Sequence, residues 1–247
     1  MRRFVILLFI ALVSACTPNL PPPPTPTLTP TLEPTPMATP VNYGEEFPLE
    51  EGNVWVYEGT VRWQHGADVK EETVTWTMAV VEIIERGPVR GIRLKGHPAD
   101  LTWYEPGQQP RDHFIIQVNN KFYEGFEETW QRLQDPEDFL IDLVSEGMLM
   151  LDLPLWSGKS FGEAAQLTRP DGFYHWLVTE EEIATLDKVT GISNDEPLTR
   201  YTVAFRTNPD HQIVDFVPGV GITHYIYSHH GTVSDVDVVL TEFQTEK

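Results

Sequence analysis

The sequence predicts a mainly β chain: a single domain with a curved antiparallel sheet or open barrel and one or two short helices. A signal peptide and a disordered Pro/Thr-rich linker precede it. Two observations set the class. Apolar and polar residues alternate with period two over many short runs, and glycine-containing turns separate those runs. A third sets the balance, because a helical start signal followed by an apolar stripe occurs once.

The strands come in order. Trp55, Tyr57, Val61 and Trp63 fall on one parity, with Glu58, Thr60, Arg62 and Gln64 on the other. Val74, Trp76, Met78 and Val80 alternate with Thr73, Thr75, Thr77 and Ala79, as a half-buried strand requires. Tyr174, Trp176 and Val178 repeat the pattern, as do Tyr201, Val203 and Phe205. Further strands are expected around Ile92, Trp103, Ile115 and Ile213. Ile222 to Ser228 and Val233 to Phe243 flank His229-His230-Gly231-Thr232, the pattern of a hairpin with a glycine turn.

The helix is expected just after Asp135. That residue can cap it, Pro136 suits the first position, and Glu137 and Asp138 suit the positive end. Phe139, Leu140, Leu143 and Val144 would form its apolar stripe and Gly147 would end it. Asp187 to Pro197 reads as a polar surface loop. A short internal echo links Pro48-Leu49-x-x-Gly52-x-x-Trp55 to Pro154-Leu155-x-x-Gly158-x-x-Phe161, which two related halves or coincidence would each produce.

Three segments divide the chain. Residues 1–15 read as an export signal: Arg2 and Arg3, an apolar run from Phe4 to Val13, then small residues. The run is too short to span about 30 Å of hydrocarbon. Val13-Ser14-Ala15-Cys16 resembles the bacterial lipobox, which implies cleavage after Ala15 and diacylglycerol on Cys16, the only cysteine. Thr17 to Val41 carries ten prolines and seven threonines, so residues 16–41 are expected to form an extended tether. Residues 42–247 are long enough for one domain.

Charge and motifs exclude more than they assign. With 37 acidic and 17 basic residues the chain carries −20, and no basic stripe offers a nucleic-acid surface. A single cysteine excludes a disulfide framework. Ser157-Gly158-Lys159-Ser160 ends like a phosphate loop, but position 153 is Leu where that motif needs glycine. No Gly-x-Ser-x-Gly elbow occurs. No cofactor is expected.

The opening Pro48-Leu49-x-x-Gly52-x-x-Trp55-x-Tyr57 and the late Val217-Pro218-Gly219-Val220-Gly221-Ile222 resemble those of a group of exported bacterial lipoproteins. The resemblance implies a β-rich envelope domain and carries over no catalytic residue.

Candidate sites remain. Trp103, Tyr104 and Trp130 lie near loop signals and could offer a ligand platform. His224, His230 and Asp235 could meet across the last hairpin as metal ligands, or form a solvated turn beside a charged strand. Adjacent acids such as Glu127 and Glu128 are abundant, as a strongly acidic surface requires. The expectation is a membrane-anchored extracytoplasmic lipoprotein that binds an envelope ligand or partner without catalysis. The alternatives are a carrier of a lipid or other apolar ligand and a carboxylate-dependent hydrolase of envelope polysaccharide.

Overall fold

Twelve antiparallel strands form one sheet in the computed structural model, which describes residues 46–193 and 197–246. The predicted signal peptide, with Ala15 and Cys16, and the Pro/Thr linker lie outside the described residues. The described part falls within a compact unit, Val41–Lys247. No helix among the described residues is long and apolar enough to cross a membrane.

The first six strands are β1 (Val54–His65), β2 (Asp68–Arg86), β3 (Val89–Lys95), β4 (Asp112–Val118), β5 (Lys121–Gly125) and β6 (Leu149–Asp152). The second six are β7 (Ser160–Phe161), β8 (Trp176–Ala184), β9 (Leu198–Arg206), β10 (Asp210–Val217), β11 (Gly221–His229) and β12 (Ser234–Gln244). Each six run as a meander, and β1 pairs with β12 to join the two, giving the order β6-β5-β4-β3-β2-β1-β12-β11-β10-β9-β8-β7. The sheet curls until β6 and β7 lie side by side with no ladder between them. It is a nearly closed barrel with one open seam.

Period-two patterning sends one face of each strand inward. Tyr57 lies opposite Trp76 on β2 and Leu240 on β12, and Ile92 lies opposite Ile115. Trp55 and Tyr57 are fully buried yet keep their polar ends satisfied: Trp55 Nε1–H donates to Val220 O at 2.7 Å, and Tyr57 OH to Ile222 O at 3.0 Å. Those two bonds tie the opening motif to the late Pro-Gly-Val-Gly turn, so both motifs serve one packing junction.

The internal echo is structural. Gly52 (φ +87°) donates its N–H to Val80 O at 3.0 Å, and Val80 N–H returns to Asn53 O at 3.0 Å. Gly158 (φ +85°) donates to Val178 O at 2.8 Å, and Val178 N–H returns to Lys159 O at 2.8 Å. The register then shifts directly after each valine, between Val80 and Glu82 and between Val178 and Glu180. Leu49 and Leu155 are buried alike, as are Trp55 and Phe161. The contacts before each turn are exchanged: Glu46 O accepts from Gly219 in the β10–β11 turn, while Leu153 donates to Asn120 in the β4–β5 turn. Two six-stranded halves thus repeat one plan.

Several predicted elements move. All the predicted strands form except the one around Trp103, which has φ +59° in the irregular stretch between β3 and β4. The helix predicted from Pro136 is not there. A helix, α1 (Glu127–Gln134), precedes it, packing Trp130 and Leu133 against Gly91 on the outer face of the sheet. Arginines take carbonyls at the end of α1 and beyond it, among them those of Asp135, Asp138 and Ile141 that a helix over 136–146 would have used. Arg86 donates to Leu133 O, Asp135 O and Asp138 O at 3.0, 2.7 and 2.8 Å, and Arg132 to Ile141 O at 2.9 Å. Leu140 and Asp142 sit at φ +53° and +52°, and Phe139 is 90% exposed. In the expected polar loop, Val189 is buried and Thr190 bridges to Glu242.

Candidate functional site

The seam is open because the second copy of the first strand is short. β1 has 12 residues and pairs on both sides, whereas β7 has two. After Phe161 the chain leaves the sheet through Gly162 into the single-turn helix α2 (Ala164–Leu167) and returns at β8. The space an extended strand would close becomes a pocket.

Three adjoining cavities of about 350, 120 and 40 Å³ share Met150, Trp176 and Gln212. The largest reaches the size of small-molecule sites, which begin at about 300 Å³. Its residues converge from one end of the sheet. Glu124 lies near the end of β5, Met150 near the start of β6, Trp176 at the start of β8, Phe205 near the end of β9 and Gln212 near the start of β10. The wall is aromatic. Trp176 packs on Phe205 with ring centroids 5.0 Å apart and is stacked near Phe161 at 6.3 Å and 14°. Glu124, Glu146 and Glu163 line the outer cavity, and no lysine or arginine lines any of the three.

A polar cluster forms the inner end. The segment after β3 turns through a short 3-10 helix, Pro98–Leu101, which buries Asp100 completely. Asp100 Oδ1 accepts from Arg111 Nε–H at 2.9 Å and from His113 Nε2–H at 2.8 Å, and Oδ2 accepts from Arg111 N–H at 2.8 Å. Burial pushes the Asp100 carboxyl up, but the bonds from His113 and Arg111 outweigh it and hold the pKa below the usual value. His97 lies beside them, its ring centroid 5.3 Å from that of His113. Its Nδ1 accepts from Ala99 N–H at 3.2 Å, which leaves the ring proton on Nε2. Burial, with the nearby His113 adding to it against Asp100, lowers the His97 pKa to about 3, so the ring is neutral. Nε2 is buried without a hydrogen-bond partner among the described residues, and His97 lines both inner cavities. A buried N–H donor thus stands unused at the pocket's inner end.

The residues singled out from sequence do not assemble there. Trp103 is 52% exposed and meets His229 edge-on at 4.7 Å. Tyr104 is buried against Trp63, and Trp130 is buried under α1 against Phe114, so neither offers a surface platform. The three therefore form no common ligand surface. The expected metal trio is likewise corrected. The β11–β12 register sets His224 against Val239, which brings Asp237 rather than Asp235 within 2.7 Å of its Nε2. Asp235 pairs with Arg62 at 3.1 Å, and His230 lies beyond β11, its backbone N–H donating to Pro209 O. Among the described residues no three His, Cys, Asp or Glu side chains group to hold a metal ion.

His97, His113, Glu124, Met150 and Gln212 carried no sequence signal. They come from separate strands and loops and meet only because the seam stays open.

The sequence matches no family model and no curated protein. Among solved structures it is similar to a protein from Bacteroides fragilis described as exported, with a YmcC-like fold. The TM-score is 0.38 at 10% identity, over 81% of this chain and 98% of that one. It is also similar to one from Parabacteroides distasonis described as a lipoprotein, with a TM-score of 0.33 at 12% identity over 80% and 97%. Likeness this loose carries no residue roles.

Proposed function

We propose that this chain is a lipid-anchored extracytoplasmic module that binds a small envelope ligand in the seam pocket without transforming it. The Arg-Arg start, the apolar run and Val13-Ser14-Ala15-Cys16 support export and anchoring, and the Pro/Thr stretch supplies a spacer. Tethering raises the local concentration of the binding domain near the surface. The observation that carries the ligand-binding reading is the seam pocket, an aromatic-walled cavity of about 350 Å³ that adjoins two smaller ones lined by His97, whose Nε2–H is unpartnered among the described residues. The barrel interior beyond it is filled by Trp55, Tyr57, Phe216 and Tyr225, which argues against a carrier of long acyl chains.

Native mass spectrometry of the full-length chain, released in detergent from its own host's envelope, tests this. A retained small-molecule mass that disappears in Trp176→Ala is expected; bare wild-type protein would overturn the reading. Palmitate labelling that is lost in Cys16→Ser is expected for the anchor, and labelling unaffected by that change would remove it. Glu124, Glu146 and Glu163 at the mouth favour hydrolysis of a polysaccharide as the second reading. Recovery of a shortened glycan after incubation with the wild-type chain, but not with Glu124→Gln, would put the second reading first.

A further inference from the structure

We infer that the seam pocket takes a neutral saccharide ring, an assignment that rests on the reading of the pocket as a ligand site. Charge, shape and hydrogen-bonding chemistry each narrow the ligand.

Charge excludes anions. The three cavities are lined by Glu124, Glu146 and Glu163 and by no lysine or arginine; of the lining histidines, His97 is held neutral by burial and His113 already gives its Nε2–H to the buried Asp100. A phosphate, a uronate or a phospholipid headgroup would meet the repulsion of three carboxylates with no lysine or arginine to offset it.

The wall favours a ligand with an apolar flank. Trp176 lies between Phe205 and Phe161, so its indole is held in place, and it lines all three cavities. The C–H groups of a pyranose can pack against such an aromatic wall while its hydroxyls reach polar side chains.

Hydrogen bonding decides among the neutral rings. At the inner end His97 Nε2–H has no partner, so the ligand atom there must accept. Glu124 offers only acceptors when ionised, so the ligand atom there must donate, and the amide of Gln212 offers both. An ammonium could serve Glu124 but could not accept from His97. A carbonyl or ether could accept from His97 but could not donate to Glu124. A hydroxyl does either, and a ring bearing several of them satisfies all three positions at once. This is why a sugar fits better than an amine or an apolar molecule.

The test uses the full-length chain in a polyoxyethylene detergent, which has no sugar headgroup, followed by saturation-transfer NMR and calorimetric titration. The probes are glucose, galactose, mannose and N-acetylglucosamine with their β-linked disaccharides, against glucuronate, glucose 6-phosphate, choline and dodecanoate. Binding of at least one neutral sugar is expected, weakened about ten-fold or more in Trp176→Ala and in Glu124→Gln, with no binding of the anionic sugars. Glu124 is solvent-exposed at the mouth, so its variant keeps the test open if the more central Trp176 change unfolds the chain. A neutral sugar that binds both folded variants as well as the wild type would place the site elsewhere and overturn the inference. Binding of glucuronate, choline or dodecanoate in place of a neutral sugar would overturn the saccharide assignment and leave the pocket reading standing. If no probe binds although envelope-derived protein retains another mass, the assignment falls alone; if that protein is also bare, both fall.

Discussion

Gly52 and Gly158 occupy the same place in two copies of one turn, each donating its N–H to the valine that precedes a β-bulge. The copies differ in the strand that each one opens. The first leads into a strand of 12 residues that zips to β12, and the second into a strand of two that leaves the sheet. The pocket lies where the repeat breaks its own symmetry, at the counterpart of the β1–β12 ladder. A closed copy of that ladder would have filled the space with side chains, as Tyr57 and Val61 fill it in the first half.

The paired glycines predict unequal costs. Both need a left-handed backbone, so alanine at either position costs about 1–2 kcal/mol in strain. At Gly158 a Cβ would meet open space, whereas at Gly52 it would fall 2.1 Å from Glu246 Oε2 and 2.9 Å from Glu246 Cβ. Gly52→Ala is therefore expected to destabilise more than Gly158→Ala, because it also displaces the C-terminal residues after β12. Urea denaturation midpoints of the two variants check this; equal midpoints would show that the Glu246 contact contributes nothing.

Arg86 predicts a local rather than global effect. Its guanidinium satisfies the carbonyl of Leu133 in the last turn of α1 and those of Asp135 and Asp138 in the stretch after it, which carries no regular structure. Arg86→Met removes those donors while keeping the aliphatic stem. Faster hydrogen exchange and proteolysis confined to residues 135–145 are expected, with stability loss of about 1–3 kcal/mol. Unchanged exchange in that stretch would show that Arg132 alone holds it, through Asp138 and Ile141 O.

The range of each interaction determined how much of the fold and site was legible in the sequence. Strand patterning acts on neighbouring residues, so Trp55 to Trp63, Val74 to Val80 and the last hairpin could be read directly, as could the echo between the Gly52 and Gly158 turns. The helix after Asp135 looked well signalled, since Asp135, Pro136 and Glu137 are good starting residues. In its place Arg86, far away in sequence, donates to the carbonyls of Asp135 and Asp138 that such a helix would have used. The short strands β5, β6 and β7 gave too few residues for a period to register. The pocket was least legible. His97, Glu124 and Gln212 acquire a role only through the curl of the whole sheet, and Tyr104 and Trp130 proved to be core because local sequence does not say which face is covered.

His224 predicts a stability term that favours lower pH. Its pKa is raised by the Asp215 carboxylate, 3.6 Å from Nδ1, and by Asp237, 2.7 Å from Nε2, against the opposing effect of burial, and Arg200 also lies 3.6 Å from the Asp215 carboxylate. A histidine raised in the folded state contributes its full stability below the unfolded pKa, about 6.5, and loses it as pH rises through the higher folded value. NMR titration of the imidazole is expected to show that raised midpoint, with a fall toward the usual value in Asp215→Asn. A midpoint at or below the usual histidine value in the wild type would contradict the geometry.

His97 predicts the opposite sign. Folded, its pKa is lowered to about 3 from the ordinary 6.5, chiefly by burial. Below pH about 6.5 the unfolded chain takes up a proton that the native ring refuses, so stability falls steadily with acid until pH about 3. At 1.36 kcal/mol for each pH unit, the loss between pH 7 and pH 4.5 is roughly 2–3 kcal/mol from this one residue. Carboxylates with lowered pKa, Asp100 and Asp215 among them, add their losses at lower pH, below about 4. His97→Gln keeps an acceptor for Ala99 N–H and removes the titration, so it separates the two contributions. Urea midpoints at pH 7 and 4.5 are expected to differ less in the variant than in the wild type. Equal pH dependence in both would mean that His97 is protonated in the folded chain at pH 4.5 as it is in the unfolded one, and that burial does not hold the ring neutral there.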